Sequence, residues 1–282
     1  MDTWNALLQG FADRYFPQTL PNEPTLATAR ADGALLVGTY ESSRRDAQNF
    51  GSFFDLFSQT KLSMAPDGTI ALAALPNSAD VAKRWREIKP FLWREVGGTH
   101  LLAAKRVNGK ISAVYSDYAV PVSVFQPVPA WRSAAWNIPL LAVTVGILLF
   151  GALQWPANAL LRRIYRKEPR FTGGALRRYR LVRLVCISDL IFVCGIPLFV
   201  LAVILPAILP LTDQVDPWFR MFQVFGVLGV IGTLAAIYDA VIAWRGKAGW
   251  WTRISSSIIA LACLSVVWFA FAFHMLSLSV HF

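Results

Sequence analysis

The sequence predicts an α+β membrane protein, a small antiparallel β barrel or sandwich followed by a four-helix transmembrane bundle. Three observations carry this. Hydrophobic residues fill 55% of the 282 positions and the mean hydropathy is +0.46, more apolar surface than a soluble domain readily hides. The excess lies after Trp136, in four runs that each reach the roughly 20 apolar residues needed to cross a bilayer core. Before Trp136 the chain shows short apolar stretches broken by turn signals, and residues 1–135 carry 14 Lys and Arg against 12 Asp and Glu, the balance of an ordinary soluble domain.

Taken in order, residues 1–16 (MDTWNALLQGFADRYF) are expected to form an amphipathic helix, with Trp4, Leu7, Leu8, Phe11 and Phe16 near one face. Residues 17–33 read as a Pro-rich linker without periodicity. Residues 34–133 read as the β domain. ALLVGTY (34–40) suggests its first strand, and KLSMA and TIALAAL flank a hairpin turn at Pro66-Asp67-Gly68. THLLAAKRV and KISAVYS flank Asn108-Gly109, the strongest short hairpin signal. WREIKPFLWREV (85–96) and VPVSVFQPV (120–128) read as one further strand each, and NFGSFFDLF (49–57) as a short helix. Six or seven strands curled into a barrel or sandwich are expected.

Residues 134–282 hold the predicted spans, at about 138–161, 184–211, 218–244 and 254–278. Trp131, Trp136, Trp218, Trp244, Trp250 and Trp251 sit at their ends, as in an aromatic belt. The loops fix an orientation. Residues 161–183 carry nine Lys or Arg against Glu168 alone, which is +8 of the net +10. Wedged between two apolar runs, this cluster reads as a cytoplasmic loop touching anionic lipid headgroups rather than as a nucleic-acid surface. The next loop, TDQVDP, has only acids; the last, RGKAGWWTR, is basic again. Both termini and the β domain are therefore expected outside the cytoplasm, in a multi-pass protein of a bacterial inner (plasma) membrane. An external domain usually follows a secretory leader, and MDTWNALLQGFADRYFPQ lacks a basic start and an apolar core. Either the first span moves the domain, or more sequence once preceded it; the latter is the expectation.

Chemistry-bearing candidates are few. Ser58 and Lys61 match Ser-x-x-Lys, a nucleophile signature of β-lactamase-type enzymes. Seventeen serines and seven lysines in 282 residues give about 0.4 such matches by chance. The chemistry also requires both residues on one buried helix, whereas Lys61 opens a strand; the match reads as fortuitous and the chain as non-catalytic. Tyr40, Arg44 and Arg45 form a polar cluster in sequence that could hold a carboxylate or phosphate, or fix the domain to a neighbour or to lipid headgroups. Asp189 and Asp239 lie within spans, six residues from Arg183 and Arg245, about 9 Å inside the cytoplasmic boundary at 1.5 Å per residue. They suggest an ion relay at a shared depth or, as the favoured reading, pairing with Arg180, Arg183 or Arg245. His100, His274 and His281 have no second ligand at helical spacing. Cys186, Cys194 and Cys263 lie in apolar runs as packing or lipid-facing residues. No metal or cofactor site is expected.

The series FADRYFP (11–17), LLVGTYESSRR (35–45), FDLFSQTKLSMAPDGTI (54–70), REIKPFLWREVGG (86–98) and PVSVFQPVPAWRS (121–133) resembles the region after the catalytic domain in membrane-bound, β-lactamase-like or penicillin-binding-protein-like serine hydrolases of bacteria. Gly38-Thr39-Tyr40 with Arg44-Arg45, and Pro127-x-x-x-Trp131-x-Ser133, are its most specific parts. The resemblance implies a small β domain followed by membrane helices, and a catalytic domain as possible partner; no position here matches that family's nucleophile. It would also make residues 1–16 the last helix of a preceding domain. The functional expectation is a non-catalytic membrane anchor and accessory module. The alternatives are a stand-alone membrane protein whose β domain binds an envelope ligand or partner, and a small transporter.

Overall fold

The structure, a computed structural model, describes residues 2–16, 24–45, 48–76, 81–118, 124–165, 173–204, 215–246 and 249–277. It divides into a β unit, residues 1–45 and 57–133, and a helical unit, residues 46–56 and 134–282.

In the β unit, helix α1 (Asp2–Tyr15) is followed by α2 (Ala29–Leu36). The strands are β1 (Gly38–Ser42), β2 (Thr60–Met64), β3 (Ile70–Pro76), β4 (Ala82–Lys89), β5 (Leu92–Glu95), β6 (Leu101–Val107), β7 (Lys110–Ser116) and β8 (Val124–Pro127). They form an antiparallel meander that closes, β8 pairing with β1 through Glu41 and Gln126, so no strand edge is left open. Directly opposed inward residues build the core: Leu62 with Leu72, Ile70 with Trp85, Trp93 with Leu102, and Val114 with Phe125. Small barrels are filled by side chains, and this one is.

The turn signals explain the register. Asn108 and Gly109 both adopt positive φ (49° and 78°), the two-residue geometry whose twist matches that of the flanking strands. At the β2–β3 turn Gly68 has φ 81°, and the Asp67 carboxylate accepts from Thr69 N and Oγ1 at 3.0 and 2.6 Å.

Three expectations are corrected. There are eight strands rather than six or seven. The stretch WREIKPFLWREV folds back on itself as β4 and β5, because Pro90 ends the ladder and Phe91 takes a left-handed φ of 58°, its N–H donating to Glu87 Oε1 at 3.0 Å. Residues 29–36, assigned in part to the linker and in part to the first strand, form α2. Its buried Ala29, Gly33 and Leu36 recur at helical spacing, and Leu36 joins the barrel core.

The helical unit contains α3 (Gly51–Phe54), a 3₁₀ turn beginning at Asp55, and α4 (Ala134–Tyr165), α5 (Gly173–Phe199), α6 (Asp216–Arg245) and α7 (Trp250–Ala272). The last four are long and apolar enough to cross a membrane, the architecture of a multi-pass membrane protein. Part of the second predicted span, 205–211, lies outside the described residues. Pro197, which cannot supply the usual helical N–H, precedes a π-helical turn over Val200–Ile204. The fourth span ends earlier than predicted, at Ala272. There His274 takes a left-handed φ of 52°, His274 N–H donates to Phe271 O at 3.4 Å and Met275 N–H to Ala270 O at 3.1 Å. This is a Schellman cap with histidine where glycine is usual, and Met275 completes it by burying its side chain.

Two contacts organise the bundle. Gly226, Gly229 and Gly232 form a ridge on α6 against which Phe192, Asp189 and Val185 of the antiparallel α5 lie; small residues let helix backbones approach closely in a membrane. At the end where α6 begins and α7 finishes, α3 contributes aromatic rings. Phe50 stacks on Phe219 at 4.4 Å, and Phe53 meets Phe269 and Phe273 edge-on at 6.3 and 6.2 Å. Each such ring buries some 150–250 Å² and dominates local packing.

Candidate functional site

A concavity lies inside the helical unit, at the end where α4 and α6 finish and α5 and α7 begin. It encloses about 730 Å³ and is lined by all four long helices. From α4 come Gln154, Asn158 and Arg162, spaced four apart and therefore stacked along one face. From α5 come Arg178, Tyr179, Val182 and Arg183; from α6 Asp239, Ile242 and Ala243; from α7 Trp251, Thr252, Ser255, Ser256 and Ile259.

Its polar half is a connected network. Arg183, only 6% exposed, donates through Nη2 to Gln154 Oε1 and lies 4.7 Å from the Tyr179 ring centroid; its Nε has no hydrogen-bond partner among the described residues. Asn158 Nδ2 donates to Tyr179 Oη at 3.1 Å, and Arg162 Nε to Asn158 O at 3.0 Å. Arg178 and Asp239 form an ion pair at 3.7 Å, longer than a hydrogen bond. Arg178 and Arg183 thus act on the Asp239 carboxylate, while Arg162 lines the same space.

The two intramembrane acids are not brought together. Asp239 forms its ion pair with Arg178, which was not among the three arginines expected, because α5 begins at Gly173 and places Arg178 opposite it; Arg183, one of the three, acts on it electrostatically from further off. Asp189 is fully buried against Gly229, ten residues from Asp239 along α6, a rise of about 15 Å at 1.5 Å per residue. The shared depth is thereby corrected: the hydropathy boundary at 184 placed Asp189 near a helix end, whereas sixteen residues of α5 precede it. Neither of its oxygens has a hydrogen-bond partner among the described residues, and the thiol of Cys263, a weak donor, adjoins it. Cys186 and Cys263 are buried; Cys194 is half-buried.

In the β unit, Tyr40, Arg44 and Arg45 diverge. Tyr40 points into the barrel core and donates to Leu36 O at 2.8 Å; burial pushes its phenol up to about 12. Arg44 is exposed. Arg45 lies 3.3 Å from Glu41 and donates to Gln126 Oε1 at 3.2 Å. The partner that sequence reasoning missed is Arg132, 3.4 Å from the other oxygen of the buried Glu41, so that this carboxylate sits between two guanidinium groups. Its signal, an acid on the strand face opposite Tyr40, is weak because alternation alone would put it in solvent. Glu87 is also buried inside the barrel, and burial, reinforced by nearby Asp32, holds its carboxyl above the usual range.

Ser58 follows the 3₁₀ turn and Lys61 is the second residue of β2, both exposed, so they are not one helical turn apart. His100 approaches Asp117 at 3.2 Å on the barrel surface, and His281 lies outside the described residues, as do Arg166, Lys167, Glu168 and Arg170 of the basic loop. Among the described residues no three His, Cys, Asp or Glu side chains gather as a metal site would require.

Comparison with family models, with curated proteins and with solved structures returned no match.

Proposed function

We propose that this chain is a non-catalytic membrane anchor and accessory module. Its four helices would hold a closed β barrel at the outer face of a bacterial plasma membrane, with the basic end of the bundle in the cytoplasm. One observation carries the reading. The chain passes between the two units three times, and the excursion between β1 and β2 buries Phe50, Phe53 and Leu56 in the core of the helical unit. The connection between two strands of the barrel thus supplies three side chains to the bundle's own core, which supports an anchoring role for the helices. The barrel interior is filled by Trp85, Trp93, Phe125, Tyr40 and aliphatic residues around the buried Glu87, which suits a supporting role better than catalysis.

The resemblance of residues 11–133 to the segment that follows the catalytic domain of β-lactamase-like serine hydrolases suggests what is anchored: such a hydrolase, on the same polypeptide or as a partner. The test is immunoprecipitation from source membranes with an antibody to the barrel, followed by a fluorescent β-lactam or fluorophosphonate probe. A labelled hydrolase recovered with the barrel supports the anchor reading. Recovery of a 31.3 kDa chain without a labelled hydrolase would sink it. That outcome would favour the stand-alone reading, which the polar cavity among the helices independently supports.

A further inference from the structure

The geometry points to the cavity at the basic end of the bundle as a binding site for the phosphate headgroup of an anionic phospholipid. The site lies entirely within the helical unit and is independent of what the barrel does.

Three features define the occupant. Charge comes first: Arg162, Arg178 and Arg183 line the space with Asp239 as the one acid among the described lining residues, and Asp239 is engaged by Arg178. Among the described residues the Nε of the nearly buried Arg183 has no hydrogen-bond partner, and the side chain lines the cavity. Guanidinium groups match phosphate oxygens through paired N–H donors, so a phosphate would satisfy what the protein leaves open.

Shape comes second. The other half of the lining, Val182, Ile242, Ala243 and Ile259 among it, is apolar, and a free inorganic anion has no use for such a wall. An amphiphile uses both halves, and about 730 Å³ accommodates a headgroup with the first part of its chains.

Depth is third. On α4 the lining runs from Gln154 to Tyr165, roughly 17 Å of helix, and is bordered by Tyr165 and Trp251, residue types that favour the headgroup level.

The experiment measures thermal unfolding and lipid retention of the full chain in nanodiscs. Phosphatidylglycerol, in place of phosphatidylcholine, should stabilise the native chain and co-purify with it. Arg178→Gln with Arg183→Gln should weaken retention about tenfold or more. Arg177→Gln with Arg180→Gln removes the same charge from exposed positions that do not line the cavity, and should retain the lipid. Ser255→Phe fills the cavity while leaving every arginine in place, and should also lose it. Should the arginine pair fail to fold, the phenylalanine variant decides alone: full retention there would overturn the site. Equal loss in the cavity and exposed pairs would place the lipid on diffuse surface charge and overturn it as well. Inorganic phosphate added to phosphatidylcholine nanodiscs should have no effect; if it reproduces the stabilisation, the occupant is a soluble phosphate and the lipid assignment falls.

Discussion

The carboxylate of Asp189 occupies the space that a side chain would take at Gly229: a methyl group built on Gly229 would overlap Asp189 Oδ1. This pair sets the register of α5 on α6, with Phe192 against Gly226 on one side and Val185 against Gly232 on the other. Gly229→Ala should therefore destabilise the bundle by about 1–3 kcal/mol, the usual cost of overpacking a filled interior. Adding Asp189→Ala should recover part of that loss, read by thermal unfolding in detergent as a double-mutant cycle. Additive effects would mean that the two side chains do not meet.

The aromatic excursion from the barrel makes a second test. Phe53 is 1% exposed among Phe269, Phe273 and Leu56. Phe53→Ala should cost about 3–5 kcal/mol, as for large core truncations. Phe57→Ala, four residues on and 55% exposed, should cost clearly less. Limited proteolysis near residue 50 would report the difference directly.

Tyr40 gives a pH dependence whose sign is fixed by burial. Its phenol titrates near 10 when unfolded and is pushed up to about 12 in the barrel. Between those values the folded chain holds a proton that the unfolded chain has released, so stability is intact below pH 10 and falls as pH rises through the interval. Tyr40→Phe should flatten this alkaline loss. It should also cost about 1 kcal/mol at neutral pH, since Leu36 O loses its donor. Denaturant unfolding at pH 8 and pH 11 measures both effects.

His274 holds a left-handed position that glycine adopts without strain. His274→Gly should leave the fold intact and stabilise the end of α7 by about 0.5–1 kcal/mol, whereas a β-branched residue there should destabilise it. A lower melting temperature for the glycine variant would mean that the imidazole makes a contact worth more than the backbone strain.

Much of this architecture was legible in the sequence because its signals are local. Asn108-Gly109 and Pro66-Asp67-Gly68 announced two hairpins, and the four apolar runs announced the helices. What was missed depends on signals that compete or act at a distance. Ala29, Gly33 and Leu36 carry a helical period, but neighbouring prolines drew residues 17–33 into a linker. Phe91 gives no hint in sequence of its left-handed backbone, so one apparent strand concealed a hairpin. The cavity was half visible: Gln154, Asn158 and Arg162 stand four apart at the end of a span, a polar stripe where lipid-facing residues would be apolar. Their convergence with Arg183 and Asp239 depends on how the helices pack, with α5 seated on the glycine ridge of α6, and no local pattern reveals that.

The most direct test of the account is the side of the membrane on which each end lies. Cysteine introduced at Lys110, in the β6–β7 turn, and separately at Arg163, at the basic end of α4, can be probed in whole cells with a membrane-impermeant maleimide after the outer envelope is opened. The native Cys186 and Cys263 are buried, and the half-buried Cys194 is replaced by alanine to remove its background. Lys110→Cys should label in intact spheroplasts, and Arg163→Cys only after the membrane is permeabilised. Labelling of Arg163→Cys from outside, with Lys110→Cys protected, would contradict an anchor that displays its barrel on the outer face.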